Sequence, residues 1–460
     1  MSYVRGGWAK VDDGTGAATA NNNIVTITSG ASVDWDVLGG YAQSDSGAAT
    51  ASGNTVTVRR GASVGSVKGA YAHVDDGTGA ATANNNTVTV SSGAYVDGDV
   101  SGAYAFAFVD SGTGAATANS NTVTISSTAY VGSDVYGGWA EFWGTGTATA
   151  TGNTVTISGG TVGGDVYGGL AEVYGTGTAT TATGNTVTIS GSPDLSASTL
   201  YGGGGTGGAG SDFFTGNTLN LKTSGLTVAG LQNFENLNFY LPATMANGET
   251  ALTVTGEADI TDSTVRVGVN GGSSALEIGE TVTLISAGTL TGAADLDGTR
   301  AGGIQGIANI YKFDLSVVGD ELFATAAERD SNAQLKALLE GRLAGLAFAS
   351  QGYDLIVGPG MYAAMLETKR QGAGIVPFAV VGGGTNRYDT GSHIDVDGVH
   401  LLAGMAWRAN IAAASSLVTG AFFEAGWGSY DSRNSFNNLP SVKGKGDTDV
   451  KPQMVSTLSL

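Results

Sequence analysis

Cysteine is absent from this chain, which excludes a disulfide framework, a thiolate nucleophile and any cysteine-based metal site. The same absence suits a polypeptide that crosses an oxidising periplasm unfolded, since no premature disulfide can form. Proline is scarce, with six residues and none before Pro193, so strand ladders can run unbroken through the N-terminal region. Charged residues make up only 13 % of the chain, too few for charge-driven disorder. Basic residues are outnumbered 20 to 40 by acidic ones, and the resulting charge of -20 repels phosphate backbones and anionic membrane surfaces. Nucleic acid is therefore not an expected partner. No apolar run reaches about 18 residues, so any membrane span would have to be a barrel. The opening Met1-Ser-Tyr-Val-Arg-Gly-Gly-Trp8 has no charged start, apolar core or small-residue cleavage site. An export signal, an earlier coil and a cap are accordingly expected to precede it.

What the chain does have is glycine, 76 residues in 460, and a repeat. An Asn followed by alternating Thr, Val and Ile recurs at Asn23, Asn54, Asn86, Asn121, Asn153, Asn185 and, as NTLNL, Asn217. The steps are 31, 32, 35, 32, 32 and 32 residues, so each copy is one supersecondary unit. A second segment recurs in register, as in Val131-Gly-Ser-Asp-Val135-Tyr-Gly-Gly-Trp139-Ala, and a third, GTGTATATGN, leads into the next copy. Three short alternating segments split by Gly or Asn imply a parallel right-handed β-helix of about 32 residues per coil over residues 1–222. One coil cannot bury its Val, Ile and Ala alone, so successive coils must stack. The recurrent Asn is expected to accept left-handed turn geometry and to bond its neighbours along the column.

From Thr223 the repeat dissolves into irregular strand-like text, and residues 223–330 are expected to cap the stack. Residues 331–371 carry the helical signals. Leu335, Leu338, Leu339, Leu343 and Leu346 fall at helical spacing between Asn332 and Gln351, and Pro359-Gly360 separates a shorter stretch ending at Leu366. Residues 372–460 then alternate with period two. Val399, Leu401, Ala403, Met405 and Trp407 oppose Gly398, His400, Gly404 and Ala406, while Ala421, Phe423, Ala425 and Trp427 oppose Gly420, Glu424, Gly426 and Gly428. One apolar face and one small or polar face suit a strand between lipid and a watery lumen.

The tracts SNAQLKALLEGRLAGLAFASQGYDLIVGPGMYAAM, FAVVGGGTNRYDTGSHIDVDGVHLLAGMAW and GAFFEAGWGSYDSRNSF resemble the start of the translocator domain of autotransporters, the type V secretion proteins. NFENLNFYLP and YKFDLSVVGDELFATA resemble the C-terminal part of their passengers, so the resemblance spans roughly residues 230–447. It implies a passenger displayed outside the cell, the outer membrane and its barrel-assembly machinery as partners, and a helix threading a barrel near Asn332–Ser350. The 88 residues from position 373 are too few for the family's twelve strands, and the end from Val450 lacks alternation and a terminal aromatic. A truncation or frameshift after Thr448 is the expectation, leaving an incomplete antiparallel transmembrane β-barrel fragment.

Candidate chemistry is sparse. Gly61-Ala-Ser63-Val-Gly65 matches a nucleophile elbow but lies inside a repeat, and the only histidines are His73, His393 and His400. Gly207-Gly-Ala-Gly-Ser-Asp212-Phe-Phe-Thr matches one calcium nonapeptide, which would need tandem copies to complete a coordination shell. Asp36, Asp99, Asp134 and Asp165 hold one place in their units and read as a turn ladder, because carboxylates of a catalytic cluster would interrupt the repeat. Asp12-Asp13 and Asp75-Asp76 read the same way. Tyr41, Tyr71, Tyr104 and Trp139 could pack between coils or offer a glycan-binding stripe. No catalytic residue, cofactor or metal is expected. The chain reads as a non-enzymatic adhesive passenger recognising glycans or proteins of a host or neighbouring cell, with a β-helix polysaccharide lyase or hydrolase as the rival.

Overall fold

The computed structural model describes all residues but 1–2, 13, 176–178, 271–274, 304–308, 332, 373, 390–392, 413–414, 434–441 and 460. The chain divides into two compact units, Met1–Asp330 and Ser331–Leu460.

The first unit is a parallel β-solenoid of about nine turns. The short strands Ile24–Ile27, Thr55–Val58, Thr87–Val90, Thr122–Ile125, Thr154–Ile157 and Thr186–Ser190 pair in parallel, each residue opposite its repeat equivalent. Alternation decides what each residue does: Val56, Val88, Val123, Val155 and Val187 point inward and are fully buried, while the flanking threonines face out. Around the rest of each coil the path is more broken than three segments. In one coil it runs through Tyr130–Val131, Val135–Tyr136 and Trp139–Thr149, with the first two too short for more than one inward residue each.

The interior is divided into two lobes. One is filled by Val and Ile from the Thr-Val-Thr strands and from positions such as Val131, Val135, Val162 and Val166. The other is nearly all alanine, including Ala72, Ala81, Ala105, Ala116, Ala140 and Ala148. Between them runs the asparagine column. Asn121 Nδ2 donates to Asn153 Oδ1 at 3.0 Å and to the Ala83 carbonyl at 3.2 Å, and Asn153 Oδ1 also accepts the Asn121 backbone N–H at 2.9 Å. The same arrangement links Asn54, Asn86, Asn153, Asn185 and Asn217, all with no exposed surface. A Gly-Gly pair crosses this seam in most coils. A Cβ on Gly137 would lie 2.1 Å from the Gly168 carbonyl and 2.9 Å from Asn153 Cβ, so no larger residue fits.

The expected left-handed geometry is found one residue earlier than the recurrent Asn. Asn22, Asn85 and Ser120 take φ near +58°, and Gly53, Gly152, Gly184 and Gly216 do the same in their coils. The reason is that an amide aimed into the seam needs an extended backbone, so the turn residue must precede it.

After Asn217 the sequence repeat fades but the parallel ladder continues through Asn236–Pro242 and Thr264–Asn270. Asn220 and Asn238 are stacked only 18 residues apart, against 32 for Asn185 and Asn217. The shorter coil omits the alanine lobe, whose last members are Ala182 and Phe213, whereas the valine lobe runs on to Ala326. At the end, Asn309–Val318 pairs antiparallel to Arg300–Gly303, and Glu321–Ser331 antiparallel to Thr281–Thr291.

In the second unit α1 (Ala333–Leu355) and α2 (Met361–Gln371) lie against an antiparallel sheet of Ile375–Asp389, His393–Ala412, Ser415–Arg433 and Val442–Ser459. Pro359-Gly360 does not separate the helices. Residues Ile356–Gly360 form a π turn that widens the helix around the proline, which lacks an N–H and would clash with a carbonyl one turn back. The helical run therefore continues five residues past Leu366, to Gln371. The leucine stripe is only partly the packing face: Leu346 is exposed, and Ala344, Ala347 and Phe348 are buried instead. The Phe348 ring lies over Gly398 and Gly428, where an added Cβ would fall 2.8 Å and 2.4 Å from it. Asn332 and the side chains of Leu335, Leu338 and Leu339 lie outside the described residues.

Candidate functional site

Ser63 opens the strand Ser63–Val74, with no helix following it, and His73 bonds Tyr71 and Asp75 rather than a serine. The elbow geometry is therefore missing. At Asp212 the carboxylate accepts the Phe214 and Thr215 N–H groups, which closes a local turn. The aspartate column is a ladder of caps. Asp99 Oδ1 accepts the Asp134 N–H, Asp134 Oδ1 accepts that of Asp165 at 2.7 Å, and Asp165 Oδ1 accepts that of Thr199 at 2.8 Å. Asp36 instead meets the Lys68 ammonium at 3.5 Å. Asp12 pairs with Lys10, Asp75 with His73 and the Gln43 amide, and the Asp76 N–H is taken by the Asp45 carbonyl. Asp13 lies outside the described residues. Among the described residues no group of three or more His, Asp or Glu is placed to hold a metal ion.

Tyr41, Tyr71, Tyr104 and Trp139 form one continuous column with ring centroids 5.3, 5.0 and 4.5 Å apart: Tyr41 meets Tyr71 edge-on, Tyr71 and Tyr104 are stacked, and Trp139 is tilted against Tyr104. Tyr136, Tyr167 and Tyr201 form a second at 5.2 and 4.6 Å, and Tyr136 meets Trp139 across the Gly137-Gly138 corner at 5.0 Å. In the stacked pairs Tyr71–Tyr104, Tyr136–Tyr167 and Tyr167–Tyr201, the ring faces a sugar would cover are turned to the neighbouring ring. Burial pushes the phenols of Tyr71 and Tyr104 well above their ordinary value, and Tyr104 is raised further by donating to Glu141.

The two strands at the C-terminal end of this stack depart from the repeat. Earlier coils carry Gln43, His73 and Phe106 beside the tyrosine; Trp139–Thr149 and Leu170–Tyr174 carry Glu141 and Glu172, paired side by side. Glu141 accepts the Tyr104 hydroxyl and the Trp143 indole N–H, both at 2.5 Å. Glu172 accepts the Trp139 indole N–H at 3.1 Å and the Tyr174 hydroxyl at 3.0 Å. Trp143 and Tyr174 stack at 4.8 Å and, with Phe108, stay exposed. Burial raises the Glu172 carboxyl above the usual carboxylate range, opposed by its two donors and reinforced by Glu141. The Tyr174 phenol is pushed up to about 12, first by burial and then by its bond to Glu172. This cluster sets two oriented carboxylates beside exposed rings. Neither glutamate stands out by spacing; Glu at a repeat position held by Gln43, His73 and Phe106 in the earlier coils was the available signal.

No family model, curated protein or solved structure matches the chain. The functional reading of the chain therefore rests on its own geometry. In the second unit that geometry is asymmetric. His400 Nδ1 meets Glu424 Oε1 at 2.6 Å in a buried pair beneath α1, and the Phe348 ring lies 4.5 Å from the imidazole. Ser432 donates to buried Glu340. On the other face of the same strands Val399, Met405, Trp407, Phe423 and Trp427 are exposed. Ala425 departs from the expected alternation and is buried. No helix among the described residues is long and apolar enough to cross a membrane, which says nothing of strands.

Proposed function

We propose that the chain is an autotransporter-type surface protein: a right-handed β-helix passenger, displayed outside the outer membrane for adhesion, joined to part of its translocator barrel. The observation that carries this is the exposed apolar face of the antiparallel sheet. Trp427 lies opposite Val399, eight residues from Trp407 on the neighbouring strand (407−399). At ~3.4 Å per residue that separates the two tryptophan levels by about 27 Å along the strand. Strand tilt reduces this to a little over ~20 Å of depth, close to the ~25 Å apolar band that aromatic girdles bracket in barrels. The helix-facing side mixes polar groups, His400, Glu424 and Ser432, with apolar ones, Ile394, Val396, Leu402 and Phe422, packed against the helices. A right-handed coil is the sense that a parallel strand crossover strongly prefers. Adhesion is supported by the uniform coils and by the exposed Trp143, Tyr174 and Phe108 over Glu141 and Glu172, a surface suited to a glycan or protein on another cell.

The test is quenching of tryptophan fluorescence by brominated lipid after reconstitution of the full chain into vesicles. Lipid quenching that is lost in Trp407→Phe and Trp427→Phe variants supports the reading. Full solubility without lipid, with no quenching, would sink it. For adhesion, cells displaying the chain should lose attachment on Trp143→Ala with Tyr174→Ala.

A further inference from the structure

The outward face of the Thr-Val-Thr strands carries threonine in two adjacent columns. Five consecutive coils, beginning at Thr55, Thr87, Thr122, Thr154 and Thr186, present two threonines each, in two straight columns. The pairing of these strands has no register shift, whereas the ladder on the other side of the coil is interrupted at several places. The face carries no charge at any of these ten positions in a chain of net charge -20. Of the ten hydroxyls only that of Thr188 has a side-chain partner among the described residues, the Asn220 amide at 3.3 Å, and it sits at the border where the array ends.

Threonine at every position gives each point of the array one methyl and one hydroxyl, held by a stiff β-branched side chain. Fully buried valines behind them fix the backbone. Coils stack at about 4.8 Å, and alternate residues in a strand are about 6.6 Å apart. The face is thus a rigid rectangular grid of methyl and hydroxyl groups, neutral and, Thr188 apart, without side-chain partners among the described residues. A partner that matches the whole grid is neutral and repeats in two directions at these spacings, which a single flexible polymer chain does not do. The oxygen lattice at the surface of ice does, and ordered water filling the troughs between the threonine columns would meet both the methyls and the hydroxyls. We propose that this threonine face binds ice.

The experiment is partition of the full chain, carried in lipid nanodiscs, into a slowly grown ice hemisphere, with empty nanodiscs as reference. Thr124→Tyr and Thr156→Tyr place a ring in the middle of the grid while leaving the buried valines and the asparagine column intact. Their circular dichroism should match the parent. The expected result is enrichment in the ice fraction several-fold over empty discs, abolished by the double variant and unchanged by Glu172→Gln on the far side. Exclusion of the parent from ice, enrichment that survives the double variant, or retention on microcrystalline cellulose or chitin in place of ice would each overturn the assignment.

Discussion

Removing one amide from the asparagine column should cost far more than its size suggests. In Asn121→Ala, Asn86 loses the acceptor for both its backbone N–H, at 2.9 Å, and its Nδ2–H, at 3.0 Å. Both groups are sealed from solvent, and Asn86 Nδ2 keeps only its bond to the Ala51 carbonyl. The Ala83 carbonyl loses a donor as well. Each orphaned buried group costs about 1–3 kcal/mol, so two donors alone give about 2–6 kcal/mol before any cavity is counted. A matched exposed control is Asn21→Ala, where one bond to the Ser52 N–H is lost at a solvated turn and the cost should stay near ~1 kcal/mol. Stacked coils do not unfold as one cooperative unit, so the readout should be local. Native-state hydrogen exchange should show protection falling in the strands around Asn86, Asn121 and Asn153 while the coils near Asn217 hold. A loss no larger than that of Asn21→Ala, or one spread evenly over the solenoid, would refute the idea that the column is a satisfied, coil-to-coil network.

Gly137→Ala should prevent correct stacking of adjacent coils, because its Cβ would lie 2.1 Å from the Gly168 carbonyl; thermal melting followed by circular dichroism should fall steeply, while Gly345→Ala in α1, with open space around it, should not lower it. Glu172 bears on pH: its carboxyl is raised in the fold, so the folded state holds the proton more tightly than the unfolded chain. Its contribution to stability is present below the unfolded carboxyl's ordinary value and is lost as pH climbs through the higher folded one. Glu172→Gln should flatten that decline in urea midpoints measured across the acid range, and an unchanged slope would remove Glu172 as its source.

The valine lobe was legible because its signal is local: Thr-Val-Thr-Ile alternates within four residues and recurs every coil. The alanine lobe was not, since alanine separated by glycine and threonine has no strong hydrophobic signature, and only stacking shows that Ala105 and Ala140 face Ala116 and Ala148 across a second interior. That lobe also explains the middle of the chain. Once the coil shortens from 32 to 18 residues, the alanine and Gly-Gly segments vanish from the text while the ladder persists, so loss of the repeat marks loss of one lobe rather than the end of the solenoid. The Pro359 π turn escaped notice because a proline forbids one hydrogen bond, not a helix, and a wider turn absorbs it. The glutamate pair was hidden for a related reason. A repeat invites each position to be read by its column average, and Glu141 and Glu172 look like ordinary outward polar residues there. Their significance comes from four aromatic donors supplied by three different coils, and three-dimensional convergence of that kind has no spacing along the chain to betray it.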